Sequence, residues 1–208
     1  ARVAKERLIV NDIRDGDLIV GLASYGQASY ESFYNGGMGS NGLTSARHDV
    51  FSRKYYEKYP DSFDHHTPAE YVYSGSRDLV ESVQLPNGET TTLGKLVLSP
   101  TRTFMPVIKK MIEEAGPSIH GMIHNTGGAH TKVKKFAPGM RVIKDNLLDV
   151  PMLFDIIQKE SGSTLNEMFQ VFNMGTRLEV YVDASSAQTL VDIAGSYGID
   201  ADIIGRVE

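Results

Sequence analysis

Apolar residues along this chain follow two periods, and their alternation predicts its elements. Arg2–Val10 reads as a strand of mixed polarity. After the turn Asp15-Gly16-Asp17, Leu18-Ile19-Val20-Gly21-Leu22 reads as a short buried strand. A glycine-rich loop runs from Ala23 to Gly42. Leu43, Ala46, Val50, Phe51 and Tyr55 then share one helical face, so a helix is predicted from Leu43 to about Tyr59, ended by Pro60. Residues 61–93 are polar and irregular, with strands expected around Tyr71-Val72-Tyr73 and Leu79–Leu85. Asn87-Gly88 ahead of Thr90-Thr91-Thr92 signals a hairpin. This stretch reads as an insertion on a more compact body.

The second half is more regular. Phe104, Val107, Ile108, Met111, Ile112 and Ala115 form an apolar helical stripe opened by Ser99-Pro100-Thr101 and ended by Gly116-Pro117. Strands are predicted at Ile119–Ile123 and Met140–Ile143. Leu153, Ile156 and Ile157 mark a helix ending near Gly162, and Leu165–Phe169 a further helical turn or two. Leu178, Val180 and Val182 alternate with Arg177, Glu179 and Tyr181, which predicts a half-buried strand. Ala187, Leu190, Val191 and Ala194 predict a helix closed by Gly198, and Ile199–Val207 a final strand. The pattern predicts a single α/β-type domain over 1–208, with no internal repeat and no linker.

Composition narrows the function classes. At 208 residues the chain can bury a core without disulfides, and it has no Cys, which excludes thiolate chemistry and Cys-ligated zinc. The net charge of −5 argues against a nucleic-acid partner. No apolar run approaches the ~20 residues of a membrane span, so no membrane partner is expected. Without a secretory pattern at the start, a soluble cytoplasmic protein is the expectation.

The twenty glycines cluster, and two clusters share a local position after a strand and ahead of a predicted helix. These are Met38-Gly39-Ser40-Asn41-Gly42 and Thr126-Gly127-Gly128. Such a loop can turn successive N–H groups toward a phosphate or carboxylate. Equally, Ser40 or Asn41 can cap a helix while the glycines shape turns. Neither matches the common nucleotide-binding loops. His120, His124 and His130 flank the second cluster without a metal-ligand spacing, and no metal site is expected on this chain. Lys132, Lys134, Lys135 and Arg141 form a basic patch after Gly128, either a phosphate aid or a solvated face. Arg102 is a candidate anion clamp, with a salt bridge as the alternative. Asn173 either satisfies local backbone or reaches into a cleft.

Four blocks in order resemble the C-terminal domain of the aminoimidazole ribonucleotide synthetase (phosphoribosylformylglycinamidine cyclo-ligase) family. They are Gly21-Leu22-Ala23-Ser24-Tyr25-Gly26 continued by Ser40-Asn41-Gly42-Leu43-Thr44-Ser45-Ala46-Arg47; Leu98-Ser99-Pro100-Thr101-Arg102-Thr103-Phe104; Ile123-His124-Asn125-Thr126-Gly127-Gly128; and Met168-Phe169-Gln170-Val171-Phe172-Asn173-Met174-Gly175. The chain departs from the family at several points. Gly39 stands where the family has His, Gln27–Gly37 is an insertion, Ala129 replaces a third Gly, and His130–Phe136 replaces the family's acidic-Asn-Ile-Pro-Arg continuation.

The resemblance implies an α/β (α+β) fold with a mixed β-sheet flanked by helices. It implies an ATP-dependent enzyme of purine biosynthesis that phosphorylates the amide oxygen of formylglycinamidine ribonucleotide and closes the imidazole ring. Ser40, Asn41, Gly42, Thr126, Gly127 and Gly128 are then expected to line the substrate and phosphate cleft, with Arg102 and Asn173 as second choices, and no residue stands out as a general base. ATP and Mg²⁺ are the implied cofactors. The metal ligands are expected on an N-terminal domain that would be this chain's partner, in a homodimer. On that expectation this chain is the C-terminal half of a two-domain enzyme and inert alone. The alternatives are another ATP-using member of the superfamily (thiamine-monophosphate kinase, selenophosphate synthetase or formylglycinamidine synthetase type) and a non-catalytic phospho-ligand-binding module.

Overall fold

The structure is a computed structural model that describes residues 4–40 and 42–208. Nine strands and seven α-helices are found among them. In chain order they are β1 (Leu18–Ala23), β2 (Tyr25–Gly26), β3 (Asn35–Gly36), α1 (Leu43–Val50), α2 (Lys54–Lys58), β4 (Ser82–Gln84), β5 (Thr90–Thr92), α3 (Leu93–Val97), α4 (Met105–Ala115), β6 (Ile119–His124), β7 (Val142–Ile143), α5 (Met152–Ser161), α6 (Leu165–Val171), β8 (Thr176–Val182), α7 (Ala187–Ser196) and β9 (Ala201–Val207). No helix among the described residues is long and apolar enough to cross a membrane.

Five strands form the main sheet in the order β6-β8-β1-β9-β7. All its pairings are antiparallel, so the mixed sheet expected from the sequence is corrected to a purely antiparallel one. The α+β class and the flanking helices are as expected. Because β1 and β6 both run against β8, they are parallel to each other with β8 between them, and α4 lies on the path from one to the other. In the same way β8, α7 and β9 straddle β1. Strands β6, β8, β1 and β9 therefore form two interlocked split β-α-β units. Strand–helix alternation by itself suggests directly adjacent parallel strands. Helix order alone does not reveal that a third strand enters between them.

One face of the sheet is covered by α4 and α7. Val20, Leu22, Leu178, Val180 and Val182 pack there against Val107, Met111, Leu190 and Ile193. The opposite face carries Ile19, Ile123, Tyr181 and Ile204, covered by Ile13, Val133 and Ala137. Being covered on both sides, β8 is buried along its whole length, whereas its alternation predicted a half-buried strand. Its odd-numbered residues Arg177, Glu179 and Tyr181 thus face protein instead of water.

A second apolar core joins α1, α3, α5 and α6, and residues 61–93 supply Val72, Tyr73, Val83, Leu85 and Leu93 to it. Here the helix predicted from Leu43 to Tyr59 is interrupted after Val50. Segment 75–77 crosses it: Arg77 N–H donates to Val50 O at 3.0 Å, and Ser52 N–H donates to Arg77 O at 2.9 Å. These bonds replace the helical ones, and a Cβ on Gly75 would stand 2.3 Å from the Val50 carbonyl. The hairpin at Asn87-Gly88 forms, pairing Gln84 with Thr90. Tyr71-Val72-Tyr73 is not a strand: Ala69–Tyr71 is a 3₁₀ turn and Tyr73 has a positive φ of 51°. Of the strand predicted at 2–10, Arg2 and Val3 lie outside the described residues, and Lys5–Arg7 is a 3₁₀ turn.

Candidate functional site: two glycine loops on one buried guanidinium

The two glycine loops meet at one end of the sheet, on Arg177. Its Nη2 donates to Gly37 O at 3.1 Å and to Met38 O at 2.7 Å, while Nη1 donates to Asn125 O at 2.9 Å. One side chain therefore holds the first glycine loop against the start of the second. Asn173 repeats the link. Its Nδ2 donates to Gly37 O at 2.9 Å, and its own carbonyl accepts from His130 Nε2 at 2.8 Å. Of the two roles open to Asn173, the structure shows the backbone-satisfying one, since its Oδ1 also accepts from Gly175 N–H at 3.1 Å.

Gly39 fits this point because it lacks a side chain. A Cβ there would lie 2.4 Å from Arg177 Nη2 and 3.0 Å from Thr101 Oγ1, and φ is +62°. Gly42, also left-handed at +76°, closes the loop against Phe172, whose ring a Cβ would meet at 2.5 Å. Gly42 itself is the residue that precedes α1, and among the described residues no side chain caps that helix. Ser40 is exposed, and Asn41 lies outside the described residues.

The second cluster is more open. Gly127 and Gly128 are exposed, and among the described residues nothing accepts from their N–H groups. Beyond Gly128 the chain forms a 3₁₀ helix, Ala129–Lys135, in place of the expected α-helix. The donors at this loop are thus its own N–H groups, not those of an α-helix N-terminus. Lys132 supplies the charge: its Nζ donates to Thr126 Oγ1 at 2.6 Å and to His124 O at 3.0 Å. An ammonium has three protons, so one remains for a ligand.

Electrostatically this is a cationic place in an acidic chain. Among the described residues no carboxylate pairs with Arg177, whose guanidinium is pulled down to about 10 by burial alone. The His124 imidazole is pushed down by burial, then by Arg177 and Lys132, which favours its neutral form. Glu179, two residues along β8, is fully buried and already accepts from Asn125 Nδ2 at 2.8 Å, Lys144 Nζ at 2.5 Å and Tyr181 OH at 2.7 Å. Both its oxygens are buried and bonded to donors. The open groups at this cluster are donors, so they fit a phosphoryl anion and do not fit Mg²⁺.

Arg102 has a different role from the anion clamp the sequence suggested. It forms a fork with Glu31 at 2.9 and 2.8 Å and donates to Ala23 O and Gly26 O at 2.9 and 3.0 Å, with its side chain wholly buried. It pins the segment after β1 to the start of α4. Arg102→Lys should lower stability by about 2–3 kcal/mol, since lysine cannot make the bidentate pair. It should leave phosphate affinity unchanged; a parallel loss of phosphate binding would return Arg102 to the ligand site.

Elsewhere, Asp17, His120 and Asp183 bring ligand atoms within 4.8 Å of one another. The Arg14 guanidinium stands 3.3 Å from His120 Nε2, and Asp17 Oδ1 lies 2.7 Å from Nδ1, so the grouping is an ion-pair cluster already holding a cation.

Sequence reasoning missed Arg177, Glu179 and Lys144, and it weighed Lys132 only as part of a surface patch. The available signal was the pair Arg177 and Glu179 at alternate positions of a strand whose intervening residues Leu178, Val180 and Val182 are aliphatic. That pattern reads equally well as a solvated face until the strand's central place is known.

Residues 71–208 match the family described as AIR synthase related protein, C-terminal domain. The chain is 30% identical to a phosphoribosylformylglycinamidine cyclo-ligase of Methanocaldococcus jannaschii, over all of this chain and 49% of that protein. It is 27% identical to one of Methanopyrus kandleri, over 100% of this chain and 48% of that protein. For one of Desulfotalea psychrophila the figures are 28%, 95% and 46%. Among solved structures, T. maritima PurL complexed with ATP is similar at a TM-score of 0.46 and 15% identity, over 99% of this chain and 24% of that one. The chain spans about half the length of the curated relatives it matches. By the family match across most of its length, this chain belongs to the AIR synthase related proteins, as their C-terminal domain.

Proposed function

We propose that this chain is the substrate- and phosphate-binding domain of an ATP-dependent cyclo-ligase that converts formylglycinamidine ribonucleotide to aminoimidazole ribonucleotide. Family membership and the names of its relatives support the reaction class. The observation that carries the site is Arg177, a buried cation with no carboxylate partner among the described residues, holding the loop of Gly37–Gly39 and the loop of Asn125–Gly128 together. A buried charge without a counter-ion is costly, and an anionic ligand placed beside it offsets that cost.

On this reading Ser40, Asn41, Gly42, Thr126, Gly127 and Gly128 line the cleft. The free N–H groups of Gly127 and Gly128 and the third proton of Lys132 bind phosphoryl oxygens. Arg177 supports them from below, and Asn173 positions the loops. Bound ATP would supply the phosphoryl group that makes the amide oxygen a leaving group. This chain's share is orientation and stabilisation of negative charge. The carboxylates that hold Mg²⁺ come, on the same reading, from an N-terminal domain of a homodimeric cytoplasmic enzyme.

The test uses the full-length protein that carries this chain. Given Mg-ATP and formylglycinamidine ribonucleotide, it should release ADP and the aminoimidazole product one to one. ADP without that product would point to another phosphoryl acceptor, and ligand binding without turnover to a non-catalytic module. Either result overturns the cyclo-ligase reading.

A further inference from the structure

Residues 33–34, the β4–β5 hairpin and α3 enclose a cavity of about 480 Å³. That volume suits a small organic molecule. Phe33 and Tyr34 belong to 27–37 and the hairpin to 61–93, the two stretches that read as insertions in the sequence. Leu85 and Leu96, both buried, line the cavity together with Tyr34 and Pro100. Phe33 and Leu98 line it too, yet they are 59% and 69% exposed. A ligand with an apolar body would take these two side chains out of water. Phe33, Tyr34 and Pro100 offer flat surfaces, which suit an aromatic ring.

The cavity has two charged lining residues, Glu89 and Lys95, of opposite sign. Their backbones are fixed locally. Glu89 N–H donates to Asn87 Oδ1 at 3.1 Å in the hairpin turn, and Lys95 N–H donates to Thr92 Oγ1 at 3.4 Å at the start of α3. Among the described residues neither side chain has an ion pair or a hydrogen bond, and both are exposed. The carboxylate and the ammonium are therefore both open to a ligand. A purely anionic ligand would meet Glu89 as well as Lys95, and a purely cationic one would meet Lys95 as well as Glu89. A zwitterion matches the pair.

We propose that this cavity binds a free amino acid with an aromatic side chain. Its α-carboxylate lies at Lys95, its α-ammonium at Glu89, and its ring against Phe33, Tyr34 and Pro100. The inference does not rest on the cyclo-ligase reading, because the cavity shares no residue with the two glycine loops.

The test is calorimetric titration of the full-length protein that carries this chain with phenylalanine. Glycine, 2-phenylethylamine and N-acetylphenylalanine are the controls, lacking in turn the ring, the carboxylate and the ammonium. Phenylalanine should bind saturably, and each control about fivefold more weakly or worse. Glu89→Gln should weaken phenylalanine about fivefold and leave N-acetylphenylalanine unchanged. Lys95→Met should weaken phenylalanine by a similar factor and leave 2-phenylethylamine unchanged. Phe33→Ala should weaken phenylalanine about tenfold. All three side chains are exposed, so the variants should melt with the unaltered protein. The proposal falls if phenylalanine does not bind, if any control binds as tightly, or if Glu89→Gln and Lys95→Met leave the phenylalanine affinity unchanged.

Discussion

Arg177→Met should cost the chain about 2–4 kcal/mol of stability and weaken its binding of inorganic phosphate on the order of tenfold or more. The stability loss comes from the carbonyls of Gly37, Met38 and Asn125, which would be left inside the protein without donors. Each buried orphan of this kind costs about 1–3 kcal/mol, and release of the buried charge offsets part of the total. For a chain of this length the melting temperature should fall by roughly 5–15 °C. The affinity loss has a separate origin, in the removed charge. Arg177→Lys separates the two: it keeps a cation but lacks the planar fork, so it should lose stability while retaining most of the phosphate affinity. Calorimetric titration with phosphate at low salt, beside thermal melts, reads both. Unchanged phosphate affinity in Arg177→Met would remove the guanidinium from the anion site.

Glu179→Gln should be the most destabilising conservative change in the chain, by about 3–5 kcal/mol at neutral pH, because it strands the Lys144 ammonium in the interior. The effect should depend on pH with a definite sign. Burial holds the Lys144 ammonium below its ordinary 10.5, and Glu179 works against that shift. Between the folded-state value and 10.5 the unfolded chain binds more protons than the folded one, so stability rises with pH there. Without Glu179 the folded-state value drops further and the window widens downward. Urea midpoints of Glu179→Gln should therefore climb as pH rises from about 7 toward about 10. In the double variant Glu179→Gln, Lys144→Met most of the loss should be restored and the climb abolished. A pH-independent deficit in Glu179→Gln would mean that the lost bonds to Asn125 and Tyr181, and not the stranded charge, set the cost.

Most elements were legible in the sequence because their apolar periods are local properties. The stripe Phe104 to Ala115 became α4, whose buried residues include Val107, Met111 and Ala115. The run from Leu18 became β1, and the Asn87-Gly88 turn closed its hairpin. The ordered blocks led to the family. The break after Val50 was not legible, because it is imposed by segment 75–77, which is distant in sequence. The helix α3 was not legible either: it is short and begins where the stretch read as irregular ends.

The site divides along the same line. Sequence alone determined that the glycine clusters and the Phe172–Gly175 turn are special, since glycine and Asn at such spacing mark backbone that must turn tightly or approach something closely. Only the tertiary structure decided what they approach. The sheet order places β8 in the interior, so Arg177 and Glu179 lose water on both sides and must find partners in loops distant in sequence. A charge on an alternating strand reads as solvated when its neighbours are unknown, and Arg102 beside a helix start reads as an anion clamp until Glu31 is seen against it. Side-chain period is a property of a few consecutive residues. The environment of a charge is a property of every element that packs around it, and that is settled only when the chain is folded.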